Sequence, residues 1–412
     1  MEYFGLTDFD YELPKERIAQ YPTKERDHSK LLLFDKERRI KHLRFFQIPD
    51  LIPAGSLLVR NISKVIPARL FFQKPTGGKV EILLLEPVLP SPDPQIALGS
   101  KKSCTWKTLT RGRNLKSGIE LYLLDHHYEK CILVAKILEK NPDGTLVEFR
   151  WDNDIDFATL ISSLGRIPLP PYINRSDEEL DKIRYQTVYS KIPGSVASHT
   201  AGLHFTQRVI DELKAKNIDF ADISLHIGLG TFKPIETKDI FEHKMHSEQF
   251  HIELSILKQI LNFFKRRSSE QFCLAVGTTS VRTLESIYWL VQKMVVQKER
   301  TLTLPVELEQ FVWKDCPASL NIVDSLEYLI ETLEHCNCGS IFGSTQLFIT
   351  PGYKIKFFDG LITNFHLPRS TLLLLIYSFV GNHWRRIYAE ALSNNYRFLS
   401  YGDSSLLFKV EE

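Results

Sequence analysis

The stretch Phe272-Cys273-Leu274-Ala275-Val276-Gly277-Thr278-Thr279-Ser280-Val281-Arg282-Thr283-Leu284-Glu285 decides the fold class. Five apolar residues run into a glycine and three hydroxyl residues, and a helix-type pattern opens at Val281 and reaches 297. A strand passing through a turn into a helix is the building unit of an α/β protein, and the neighbouring chain repeats it. Helical patterns recur at 177–189, 206–216, 255–266, 370–380 and 384–393, with strand-type runs between them. The turn is a candidate cradle for a carboxylate or phosphate, because a helix N-terminus presents unpaired N–H groups and the positive end of a dipole. Arg282, one step inside the helix, would add a charge-assisted bond. Plain N-capping by Thr279 or Ser280 is the competing reading, and it needs no ligand.

Before about residue 152 the texture differs. Short β-type runs at 56–60, 79–85, 119–124, 131–137 and 146–150 are broken by Gly, Pro, Asn and Asp, which predicts a small β domain closed as a barrel. The architecture expected is a larger α/β domain, residues 1–60 and 153–412, interrupted by a small β-barrel domain at 61–152. Residues 298–344 mix a Leu/Pro/Glu run with a helical pattern at 320–333 and read as an inserted excursion.

Composition narrows the class. The 412 residues, 43% hydrophobic and 25% charged, describe a globular chain of two or three domains. The longest apolar run, 372–380, contains Tyr377 and Ser378 and falls short of the ~20 residues of a membrane span. The opening Met1-Glu2-Tyr3-Phe4 lacks a secretory pattern, so a cytoplasmic protein with no membrane partner is expected. Six scattered cysteines suggest reduced thiols; His335-Cys336-Asn337-Cys338 lacks the second ligand pair that zinc requires, so no metal is expected. A net charge of +2 leaves the partner open.

Other segments carry candidate chemistry. In 222–232, Ile223, Leu225, Ile227 and Leu229 alternate with Ser224, His226, Gly228 and Gly230, so one face is core and the other is polar and nearly stripped of side chains. Glycines beside a histidine let a bulky ligand approach the backbone; a tightly packed strand end with a hydrogen-bonded histidine is the alternative. His243 and His246, with Glu248 close behind, suit proton transfer better than metal binding, and a structural pair is the bland reading. His204 and His366 each sit among small and hydroxyl residues. The run from Trp106 to Lys116, with Arg111 and Arg113, interleaves an aromatic with cations, as an RNA contact would, or is a solvated basic turn. No G-x-S-x-G elbow or P-loop motif appears.

Taken in order, the motifs resemble one family, the S-adenosylmethionine:tRNA ribosyltransferase-isomerases of queuosine biosynthesis. The resemblance rests on Val65-Ile66-Pro67-Ala68-Arg69-Leu70, Pro168-Leu169-Pro170-Pro171-Tyr172-Ile173, Arg184-Tyr185-Gln186-Thr187-Val188-Tyr189 and Thr200-Ala201-Gly202-Leu203-His204-Phe205. It continues through His226-Ile227-Gly228-Leu229-Gly230-Thr231-Phe232, Met245-His246-Ser247-Glu248, the stretch 277–285 and Ile362-Thr363-Asn364-Phe365-His366-Leu367-Pro368. Further matches at 8–14, 76–81, 351–353 and 396–403 make it nearly end to end and collinear.

The resemblance implies a barrel inserted in an α/β domain. It also implies a reaction in which the ribosyl group of S-adenosylmethionine moves onto 7-aminomethyl-7-deazaguanine at the tRNA wobble position, giving epoxyqueuosine, adenine and methionine. On that footing the expected catalytic residues are His226 or His246 as base, with Glu248 tuning one of them, and His204. Gly228, Gly230, Thr231, Gly277, Thr278, Thr279, Ser280 and Arg282 are expected at S-adenosylmethionine, a co-substrate. Arg69, Tyr172, Tyr185, Gln186, Thr200, Asn364, His366, Trp106, Arg111 and Arg113 are expected at the tRNA substrate, on a monomer or weak homo-oligomer. Three departures stand out: Ala197-Ser198-His199-Thr200 where the family usually has Ala-Ala-Pro-Thr, Ile62 in place of a polar residue after Asn61, and the long 298–344 excursion. They keep two rivals in view, an RNA-binding module on this scaffold and an S-adenosylmethionine enzyme acting on a small molecule.

Overall fold

The computed structural model describes residues 5–125, 130–141, 144–152, 154–228, 235, 237 and 239–410. In chain order its strands begin with β1 (Lys30–Phe34), β2 (Ile40–Arg44), β3 (Leu57–Asn61), β4 (Ser63–Val65), β5 (Arg69–Gln73) and β6 (Lys79–Leu89). There follow β7 (Ser103–Arg111), β8 (Glu120–Asp125), β9 (Lys130–Asn141), β10 (Gly144–Arg150), β11 (Ile192–Ser195) and β12 (Asp219–His226). The last are β13 (Glu248–Glu253), β14 (Cys273–Val276), β15 (Val306–Leu308), β16 (Ser340–Thr345), β17 (Gly360–Asn364) and β18 (Ser404–Phe408). The α-helices are α1 (Ile48–Leu51), α2 (Pro94–Leu98), α3 (Phe157–Leu164), α4 (Glu179–Arg184), α5 (Gln207–Ala215) and α6 (Leu254–Arg266), then α7 (Thr278–Gln297), α8 (Val312–Asp315), α9 (Ile322–His335), α10 (Thr371–Val380) and α11 (His383–Ser393).

A ten-stranded sheet in the order β15-β16-β13-β12-β3-β14-β17-β18-β1-β2 forms the larger layer. Its centre, β12-β3-β14-β17, is parallel, with Asp219 and Cys273 both level with Leu57 and Val276 level with Ile362. β14 and β17 are buried along their whole length, as a parallel sheet covered on both faces demands. Leu57, Val59, Ala275 and Leu361 face the core that includes Val281 and Leu284 of α7. Leu58, Leu274, Val276 and Ile362 face the opposite core, with Val209, Ile210 and Leu213 of α5. The fold class is thus α/β.

β10-β7-β6-β5-β8-β9 close into a barrel. Phe157, at the start of α3, packs on Trp106, Phe149 and Trp151 inside its core. Here the sequence reading needs a correction. Trp106 through Arg111 are not a turn but part of β7, and Trp106 is fully buried in the barrel core. The outward Lys107 and Arg111 obscured an alternation in which Cys104, Trp106 and Thr108 point inward. Residues 298–344 carry β15, α8, α9 and most of β16, which extend one edge of the large sheet. No helix among the described residues is long and apolar enough to cross a membrane.

Candidate active site

In an open sheet, ligands bind beyond the carboxyl ends of parallel strands. At that edge this chain places Asn61 of β3, His226 of β12, Gly277 after β14 and Asn364 of β17. Gly277 adopts φ +87, a conformation glycine reaches without Cβ strain, and this turns the chain from β14 into α7. Its N–H donates to the Ile362 carbonyl at 2.8 Å, so the turn is pinned to β17. No side chain caps α7. Thr279 and Ser280 lie inside the first turn, which excludes the capping reading. The Ser280 hydroxyl donates back to the Val276 carbonyl at 2.9 Å, whereas the Thr279 hydroxyl is buried without a partner. The N–H groups of Thr278, Thr279 and Ser280 have no intrahelical acceptor by helix geometry.

This helix end opens into a cavity. Gly277, Thr278, Thr279, Asn364, His366, Thr200 and Tyr172 line it together, with His199 and Ser400, which the sequence did not single out as site residues. Tyr172 is anchored through its hydroxyl to Ser400 Oγ at 2.6 Å. His366 Nε2 pairs with Thr363 Oγ1 at 2.9 Å, and burial lowers its pKa to about 3, so it is neutral at pH 7.

His204 is not in the cavity; it stands behind Asn364. Its Nδ1 meets Ser29 Oγ at 2.7 Å and its Nε2 meets Asn364 Nδ2 at 3.3 Å. Burial, with Arg397 nearby, lowers its pKa to about 3. His199, the departure from the family pattern, is buried between Asn61 Nδ2 at 3.0 Å on Nδ1 and the Ser63 carbonyl at 2.9 Å on Nε2. A carbonyl only accepts, so Nε2 carries the proton and Nδ1 accepts from the amide. Burial lowers the His199 pKa to about 4. Asn61 in turn bonds the Leu225 carbonyl and N–H at 2.8 and 3.2 Å, tying β3 to β12.

Two further cavities adjoin. Leu372 is shared with one lined by His243, His246, Glu248 and Arg282. Arg282, expected at the anion, is instead buried against Glu248 as an ion pair and donates to the Leu347 carbonyl at 3.2 Å. Arg282 stands only two to four residues past the N–H groups of 278–280, and it is the pairing with Glu248 of β13 that engages its side chain. Its positive charge is matched by Glu248. His243 and His246 lie on an irregular segment leading into β13.

Ile227 is shared with the third cavity, a cleft between the large sheet and the barrel. Leu85, Glu86, Pro87 and Pro94 line its barrel side; His226, Gly228, Gly194 and Gln249 line the other. His226 Nδ1 is buried without a partner, and burial, with His199 close by, lowers its pKa to about 4. A Cβ on Gly194 would lie 2.8 Å from His226 Cε1, 2.8 Å from Pro94 Cβ and 2.9 Å from His226 Nδ1, so the absence of a side chain there lets the imidazole pack against the strand. Burial raises the Glu86 carboxyl pKa. Gly230 and Thr231 lie outside the described residues.

The remaining expected residues do not line these cavities. Tyr185 is buried against Tyr401. Gln186 spends its amide on the Val65 N–H and carbonyl at 3.0 and 2.7 Å, which fixes β4 and corrects its reading as a substrate contact. Arg69 faces Glu81 at 3.3 Å across the barrel strands. Arg111 and Arg113 are exposed at the end of β7 and in the turn beyond it, whereas Trp106 offers no face to a base. Asn61, Ser63, His199 and Glu86 were missed as site residues; the visible signal was polar residues interrupting apolar runs.

Comparison with known proteins bears on this geometry. The profile of a family described as queuosine biosynthesis protein matches residues 6–407. The chain is 39% identical over 406 residues to an S-adenosylmethionine:tRNA ribosyltransferase-isomerase of Thermotoga maritima, covering 98% of this chain and 99% of the relative. A protein of the same name from Fusobacterium nucleatum is 37% identical over 407 residues, covering 98% of this chain and 97% of the relative. A crystal structure of S-adenosylmethionine tRNA ribosyltransferase from Thermotoga maritima aligns over 97% of this chain and 99% of that one, with 30% identity and a TM-score of 0.45.

Proposed function

The chain belongs to the queuosine biosynthesis family of S-adenosylmethionine:tRNA ribosyltransferase-isomerases, and from that premise we propose that it transfers and isomerises the ribosyl group of S-adenosylmethionine onto 7-aminomethyl-7-deazaguanine at the tRNA wobble position. Epoxyqueuosine in tRNA, adenine and methionine are the products. The observation that carries this reading is the uncapped N-terminus of α7, opening beside Asn364 at the carboxyl ends of the central strands. A helix end with three unclaimed N–H groups suits the methionine carboxylate.

The sulfonium acidifies the carbon beside it. A base removes a proton there, adenine departs, and the free amine of the modified base adds to the activated ring. His226 is the favoured base, because it is neutral at pH 7, lines the cleft and has a buried Nδ1 without a hydrogen-bond partner. His246, exposed in the adjoining cavity, is the second candidate. The adenosyl group would lie beside Gly228, and the wobble nucleotide would enter the cleft between β6 and β12. Residues 61–152 act in this scheme as a separate domain that carries the tRNA, with Arg111 and Arg113 meeting phosphates.

The test is adenine release from S-adenosylmethionine with tRNA carrying the modified base, for the parent and for His226→Ala and His246→Ala separately. Loss of turnover in His226→Ala with tRNA binding retained supports the assignment. Near-parental turnover in both variants removes both histidines as base. Adenine released without RNA favours a small-molecule substrate, and binding without adenine favours an RNA-binding module.

A further inference from the structure

Two residues that line the cavity each bury a polar atom without a hydrogen-bond partner: Asn364 Oδ1 and Thr279 Oγ1. Both residues are more than nine-tenths buried, Asn364 being 2% exposed and Thr279 6%. Leaving such atoms unpaired is costly unless a ligand satisfies them. The orientation of the Asn364 amide follows from its surroundings. Its Nδ2 lies 3.0 Å from the Leu399 carbonyl, which only accepts, so the nitrogen must point there and Oδ1 must point away. The second proton of Nδ2 goes to His204 Nε2, which makes His204 the Nδ1–H tautomer, donating to Ser29 Oγ. The chain Ser29, His204, Asn364 therefore ends in a fixed acceptor. Gly277 is pinned to Ile362, two residues before Asn364, so this acceptor stands beside the uncapped end of α7.

A site offering unclaimed N–H groups next to a fixed carbonyl-type acceptor is complementary to a zwitterion. We propose that Asn364 Oδ1, seconded by Thr279 Oγ1, accepts the α-ammonium of S-adenosylmethionine while the α7 amides hold its carboxylate, and that His204 is a positioning residue that locks the Asn364 amide. This rests on the preceding functional reading. It gives His204 a role without contact to the reacting atoms, and it makes the amino group of the co-substrate a determinant of selection. The exocyclic amine of adenine is another N–H donor in the same molecule, and the test separates the two.

The experiment measures KM and kcat for adenine release, with modified tRNA, for three ligands. These are S-adenosylmethionine, its analogue lacking only the α-amino group, and its analogue with the adenine amine dimethylated. In the parent, loss of the α-amino group leaves Asn364 Oδ1 unpaired and raises KM about 10- to 100-fold. In Asn364→Ala the parent's preference for the amino-bearing ligand shrinks to a few-fold, because KM for S-adenosylmethionine rises toward that of the analogue lacking the amino group. Asn364→Ser gives the same reading should the alanine variant fail to fold. His204→Leu frees the amide to turn and also loses the preference, whereas His204→Gln, which keeps an acceptor toward Asn364, retains most of it. A purely structural role for His204 would move Tm and kcat but leave the ligand ratio intact. An unchanged ratio in Asn364→Ala overturns the proposal, as does a ratio that collapses only for the dimethylated ligand. If the parent releases no adenine from any ligand, the functional reading falls, and this inference falls with it.

Discussion

Acidification should unfold this protein earlier than its carboxylates alone would allow. His199, His204 and His366 are buried and neutral, with pKa values lowered to about 4, about 3 and about 3, against 6.5 in an unfolded chain. Protonation therefore favours the unfolded chain, which binds up to three more protons than the native state between about pH 6.5 and pH 4. Stability from these groups is intact above pH 6.5 and is lost as the pH falls toward 4. At pH 5 each histidine costs about 2 kcal/mol, so the three together remove about 6 kcal/mol relative to pH 8, a large share of a typical ~5–15 kcal/mol. Urea unfolding at pH 8 and pH 5, followed by tryptophan fluorescence, measures the difference. In His204→Gln the pH 8 to pH 5 difference should shrink by about 2 kcal/mol, whatever the substitution does to absolute stability. A total difference under about 2 kcal/mol, or one unchanged in His204→Gln, would refute the reasoning.

Other outcomes follow from the same contacts. Gly194→Ala places a methyl within 2.9 Å of His226 Nδ1 at a backbone φ of +135, so adenine release should fall at least about tenfold while S-adenosylmethionine binding by calorimetry persists. Arg282→Met leaves Glu248 charged and buried, which should cost about 3–5 kcal/mol in urea unfolding; adding Glu248→Gln should recover much of it. Trp106→Leu hollows the barrel core and should cost about 2–4 kcal/mol, with the Kd of the folded protein for tRNA unchanged; weaker tRNA binding at parental stability would restore the stacking role.

Much of the fold was legible because its central strands are continuous apolar runs that feed helices, a local signal. The 272–285 stretch announced both the α/β class and the turn at Gly277, since a hydroxyl-rich turn before a helix has few other uses. β7 was not legible: its outward cations looked like a basic turn, and only barrel closure shows that Trp106 points inward. Side-chain partners were likewise invisible in one dimension. Arg282 finds Glu248 and Gln186 finds the Val65 backbone across long sequence separations, so their spacing from the motifs said nothing about whether they remain available to a ligand. The histidines were visible as residues but not as partners, because His204 and His199 bond Asn364 and Asn61, and these networks exist only once β3, β12 and β17 lie close together.

A crystal structure with S-adenosylmethionine bound tests the account most directly. The methionine carboxylate is predicted within about 3.2 Å of the backbone nitrogens at 278–280, with the α-ammonium on Asn364 Oδ1. Density showing the amino-acid end in the Arg282 and Glu248 cavity, or in the cleft beside His226, with α7 left unliganded, would contradict it.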